Sequence, residues 1–115
     1  MGFSNPLNKN VLTVKVANGT ADSEAIYCAE QTLSAVITPA ALTNSGMRFK
    51  GSVDGSTYVD IYDDTPTRYS ITVATGASNG YDLNLAKMKP WPWVKINMSG
   101  NEGAERSFTV LLTGV

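Results

Sequence analysis

Apolar residues in this chain recur at every second position, in short runs broken by turn residues. Nowhere do they hold a stripe at helical spacing over a useful length. Such a run is buried along one face of a pleated strand, which confines the chain to β architecture. The clearest case is the stretch from Gly46 to Asp63. Met47, Phe49 and Val53 fall on one face, with Arg48, Lys50, Ser52 and Asp54 on the other. Asp54-Gly55 is a strong turn signal, because glycine accepts the positive φ that a tight turn needs. Beyond it Val59 and Ile61 continue the apolar face, while Tyr58, Asp60 and Tyr62 point away. The stretch reads as a β-hairpin.

The same period organises the rest. Leu12, Val14 and Val16 alternate with Thr13 and Lys15 in a first strand that ends at Asn18-Gly19. Ile26, Tyr27 and Cys28 favour a strand within 24–30. Leu33, Ala35 and Ile37 form the inner face of another, which Pro39 ends. Tyr69, Ile71 and Val73 follow a turn at Asp63-Asp64-Thr65-Pro66, and Tyr81, Leu83 and Leu85 run into a helical turn closed by Pro90. Val94, Ile96 and Met98, then Phe108, Val110 and Leu112, supply the last two strands. Seven or eight short strands with turns between them imply an all-β fold, an antiparallel β-sandwich of jelly-roll type. Residues 1–10 hold only Phe3 and Leu7 to bury beside Gly2 and Pro6, and read as an extended N-terminal arm. The sandwich domain is then 11–115, a single domain for a chain of 115 residues.

Charge narrows the function classes. Nine basic and ten acidic residues give a net charge of -1, which argues against a nucleic-acid binder driven by counterion release. No apolar run suits a membrane span, so no membrane partner is expected. Only 17% of residues are charged against ~25% in ordinary soluble domains, and Thr, Ser, Asn and Gly make up the polar balance. That composition suits a β protein whose outside is partly covered by partners. No basic region, apolar core and cleavage site opens the sequence, so the expectation is assembly in a cytoplasm.

Catalytic chemistry has little to work with. There is no histidine, which removes the commonest general base and most zinc sites. Cys28 stands alone, with no disulfide partner and nothing to activate it, and reads as a small buried residue. Asp54, Asp60, Asp63 and Asp64 cluster around the hairpin, and paired acids can run glycoside hydrolysis or bind calcium. Calcium-loop spacing is not matched, however, and Asp54 and Asp63-Asp64 sit where turns want Asp. No catalytic, metal or cofactor residues are assigned. Lys87-Met88-Lys89-Pro90-Trp91-Pro92-Trp93-Val94-Lys95 is the other constellation. Its tryptophans can plug the sandwich end, form a protein interface, or stack a ligand.

The order of the pieces resembles small virion proteins of tailed bacteriophages. Gly51-Ser52-Val53-Asp54-Gly55-Ser56-Thr57-Tyr58 leads to Val59-Asp60-Ile61-Tyr62-Asp63. A leucine-containing turn then leads to Trp93-Val94-Lys95-Ile96, and Arg106-Ser107-Phe108-Thr109-Val110-Leu111-Leu112 closes the pattern. The resemblance covers residues 31–115 and departs at Lys95, where many such proteins have Arg. It implies a capsid decoration (cement) protein, non-enzymatic, commonly a homotrimer clamping the major capsid protein in the virion. The partner-binding residues would be Phe3, Pro6 and Leu7 in the arm and Trp91 and Trp93 at the sandwich end. A tail or neck accessory subunit is a variant of that reading. A carbohydrate-binding or receptor-binding module is the alternative, with Tyr58, Tyr62, Trp91 and Trp93 as its platform. A glycosidase using Asp54 and Asp60 is a third. Outward-facing Tyr58, Tyr62, Trp93 and Leu111 point to self-association.

Overall fold

The computed structural model describes residues 9–63 and 65–114. Phe3, Pro6 and Leu7 lie outside that range. The chain forms β1 (Lys9–Val16), β2 (Ile26–Tyr27), β3 (Thr32–Ile37), β4 (Gly46–Ser52), β5 (Val59–Asp60), β6 (Ser70–Thr72), β7 (Gly80–Asp82), α1 (Leu85–Met88), β8 (Trp93–Met98) and β9 (Arg106–Thr113). One sheet runs β1-β9-β3-β7; the other runs β2-β8-β4-β5, with β6 also pairing β4. Every pairing is antiparallel. The molecule is an all-β sandwich.

Alternation decides what lies between the sheets. Val14, Val16, Leu33, Val36, Phe108, Val110 and Leu112 face inward from the first sheet. Ile26, Met47, Phe49, Ile61, Val94, Ile96 and Met98 face them from the second. Burying such side chains contributes about 1.5–3 kcal/mol each, so this layer supplies the main driving force for folding. α1 is a single turn, capped by the Asn84 side chain accepting the Ala86 N–H at 3.0 Å. It delivers Met88, fully buried, to the sandwich end.

The structure departs from four expectations. In β3 the inner face is Leu33, Val36 and the following Thr38, whereas Ile37 is 39% exposed. The cause is a register shift between Leu33 and Ala35: these pair with the consecutive Leu112 and Leu111, so Ser34 is an extra residue and the alternation flips. Val53 is 76% exposed, because β4 ends at Ser52 and the turn begins at once. Val59 keeps its inward parity opposite Gly51, yet at the sheet edge it remains 51% exposed. Lys9 and Asn10, placed with the arm on sequence grounds, belong to β1.

Candidate functional site

The hairpin acids act as turn chemistry. Asp54 Oδ1 accepts the backbone N–H of Ser56 at 2.8 Å and of Thr57 at 2.9 Å, and the Ser52 hydroxyl at 3.0 Å. Those donors, Thr57 first, hold its carboxyl below the ordinary aspartate range. Gly55 takes φ 79°. Asp63 Oδ1 likewise accepts from the Thr65 hydroxyl and the N–H groups of Thr65 and Thr67, which lowers its pKa too. Asp60 instead pairs with Arg68 at 2.8 Å. Asp54 and Asp60 are thus committed to different structural partners. Among the described residues no group of three or more His, Cys, Asp or Glu is placed to hold a metal.

Cys28 is buried, and burial pushes its thiol up to about 11, with a backbone hydrogen bond from Leu33 opposing. A thiol held neutral in this way is a poor nucleophile.

The tryptophans separate. Trp91 packs against the core over Gly51, so closely that a Cβ on that glycine would lie 2.3 Å from the indole. Trp93, by contrast, pairs with Ser52 and Tyr27 on the outer face of the second sheet. There its ring meets Tyr27 at 4.7 Å between centroids, tilted by 57°, and covers Gly55. Tyr58 shares this face, its ring 4.5 Å from the Lys95 ammonium. Tyr62 stands in a separate excursion, bridged to Arg68. The four rings therefore do not form one platform.

Two outer faces are left as candidate working surfaces, and they differ in character. On the first sheet Val11, Leu111, Ala35 and Asp82 form one cross-strand row, and Thr13, Thr109, Ile37 and Gly80 the next. At ~4.8 Å between strands each row spans about 14 Å. Asp82 lies at one margin and Lys15, paired with Glu105 at 3.7 Å, at another. The Ser34 bulge dents this face beside Leu111, Leu85 and Leu83, making a groove of about 440 Å³. Ser34 is satisfied there by the Leu111 carbonyl and the Thr113 hydroxyl.

The second sheet's outer face is charged. Lys95, Lys50 and Asp60 form one row, and Asn97, Arg48 and Ser70 the next. Lys50 pairs with Asp22 at 3.3 Å, and Arg68 donates to Asn97 Oδ1 at 2.7 Å while holding Asp60. Burial, then the neighbouring Arg48, lowers the Arg68 pKa against the pull of Asp60.

Glu102 is a buried charge that the local sequence pattern does not mark. Its carboxylate is fully buried and accepts the N–H of Thr43 (2.7 Å), the N–H and Nδ2 of Asn44 (3.1 and 2.8 Å) and Arg106 Nε (3.0 Å). Burial alone would raise its pKa, but these donors outweigh it and leave the group lowered. It ties the loop before β4 to the loop before β9. One signal was available, since Glu102 and Arg106 are four residues apart. The partners on 43–44 are visible only in three dimensions.

No family model matches this chain, and no curated protein matches it. Among solved structures, one from the Bacillus endospore appendages, a family of disulfide-linked pili, aligns over 93% of this chain and 88% of its own. The identity is 17% and the TM-score 0.40.

Proposed function

We propose that this protein is a non-enzymatic structural subunit that docks on a larger protein shell, in the manner of a bacteriophage capsid decoration protein. The observation carrying this reading is the outer face of the first sheet. Its centre is Val11, Leu111, Ala35, Ile37, Thr13 and Thr109, aliphatic or small and neutral, with Asp82 and Lys15 at the margins. Depletion of charge at a patch centre is the compositional mark of protein interfaces. Val11 is 61% exposed in the free chain, a cost that a covering partner removes. The strand order β1-β9-β3-β7 over β2-β8-β4-β5 supports a jelly-roll description of the sandwich.

The mechanism is additive burial. Each copy covers a seam between shell subunits, which must lose that contact to open, and many copies multiply the effect. Residues 1–8 precede β1 in the sequence, and an arm carrying Phe3, Pro6 and Leu7 would extend the contact onto a neighbouring major capsid protein. Homotrimers at three-fold points are the favoured arrangement, in virions assembled in the host cytoplasm. The test is co-sedimentation with shells stripped of this protein. Leu111→Lys and a chain lacking residues 1–8 should both fold yet sediment with the shell much less than wild type. Full retention by both variants would remove the basis for this reading.

The carbohydrate alternative would rest on the outer-face rings of Trp93, Tyr27 and Tyr58, because Trp91 packs against the core over Gly51 and Tyr62 stands in a separate excursion.

A further inference from the structure

The outer face of the second sheet carries positive charge that its own acids only partly neutralise. Lys50 and Lys95 are direct cross-strand partners, a position where like charges destabilise a sheet. Asp22 answers Lys50, and Asp60 answers Arg68. Lys95 has the Tyr58 ring, at 4.5 Å. Arg48 donates from Nη2 to the Met98 carbonyl at 3.4 Å, and its buried Nε meets no acceptor among the described residues. Arg68 Nε is in the same condition.

Geometry says what kind of anion fits. Lys95 and Arg48 are diagonal neighbours across β8 and β4, about 7–8 Å apart at the backbone. Alternate side chains of an extended peptide project from one face about 6.6 Å apart. An acidic residue at every second position would therefore meet Lys95 and Arg48 in turn. Beside them runs an open groove of about 710 Å³, lined by Lys15, Lys50, Lys95, Thr20, Asn97 and Asn101. Asp22 and Glu24 also line it; Lys50 and Asn97 engage Asp22, and the Lys15 N–H engages Glu24.

We propose that this face docks an extended acidic segment of a partner protein, with carboxylates at alternate positions taken by Lys95 and Arg48. With its Nε shielded and its Nη2 held by the Met98 carbonyl, Arg48 would draw a carboxylate by its charge and not by a two-point fork. A uniform polyanion such as nucleic acid fits less well, because Asp22 and Asp60 interrupt the cations and the whole chain is net negative. The site lies on the sheet opposite the neutral face, so it stands whether or not the assembly is a viral shell.

The test is a ¹H–¹⁵N NMR titration of the full chain with the peptide Glu-Thr-Glu-Thr-Glu-Thr, at low salt and at ~150 mM salt. Saturable shifts should centre on Lys95, Lys50, Asn97 and the Trp93 indole, weaken with salt, and be absent with Gln-Thr-Gln-Thr-Gln-Thr. Lys95→Gln and Arg48→Gln should each weaken binding about fivefold, and Lys89→Gln should leave it unchanged. If Arg48→Gln does not fold, Arg48→Lys, which keeps the charge, should bind within about twofold of wild type, and a loss as large as that of Lys95→Gln would count against a charge-based contact. No saturable shift at low salt overturns the proposal, as does binding indifferent to both residues. Tighter binding of heparin oligosaccharide or oligodeoxythymidine through the same residues also overturns it, in favour of a polyanion site.

Discussion

Glu102→Gln is the substitution whose consequence the structure specifies best. The carboxylate has no exposed side-chain surface and accepts four donors, one from Arg106, whose side chain is 17% exposed. Glutamine keeps the shape but replaces one acceptor oxygen with an NH₂ group, setting donor against donor and leaving Arg106 without its counter-charge. Losing one partner of a buried pair costs about 3–5 kcal/mol, and hydrogen bonds to charged groups are worth about 1.5–3 kcal/mol each. Partial exposure of Arg106 lets water compensate in part, so the expected loss is about 2–4 kcal/mol. At an unfolding entropy near 2.1 cal/mol/K per residue, that lowers Tm by roughly 8–17 °C. Urea denaturation at neutral pH measures the loss directly. The pH dependence follows from the sign of the shift. The folded pKa is depressed, so the contribution is present above the ordinary glutamate value and disappears as pH falls through the folded one. Wild type should therefore lose stability on acidification more steeply than Glu102→Gln. A variant within about 0.5 kcal/mol of wild type would refute the latch, because ordinary surface substitutions cost no more.

A further substitution and a chemical modification probe the core. Gly51→Ala drives a Cβ into the Trp91 indole at 2.3 Å and should cost about 1–3 kcal/mol, with a shift in tryptophan fluorescence as the ring moves. Unchanged stability would mean Trp91 does not seal the core there. Cys28, buried with its thiol pushed up to about 11, should resist a thiol-specific disulfide reagent at pH 8 in the folded protein and react on unfolding in urea.

Strand content was legible because period-two alternation is written locally, and so was the turn role of Asp54, which needs only its next three residues. The Ser34 bulge was not. Thr32–Ile37 carries apolar residues at both parities, and only the pairing with Leu111 and Leu112 decides which parity faces the core. Trp91 and Trp93 look like same-face neighbours at i and i+2, but that rule holds only inside a strand. Trp91 closes the turn after α1, donating its N–H to the Met88 carbonyl at 3.2 Å, and so escapes the parity of β8. The network of Lys50, Asp22, Asn97, Arg68 and Asp60 joins residues far apart in sequence, and no local pattern announces it.

A docked subunit requires the neutral outer face of the first sheet to be covered in the working assembly. Hydroxyl-radical footprinting of the free chain and of the chain in assembled particles tests it at single residues. Labelling of Val11, Ile37 and Leu111 should fall severalfold on assembly, while Val53 in the β4–β5 turn stays labelled. Equal labelling of Val11, Ile37 and Leu111 in both states would contradict it.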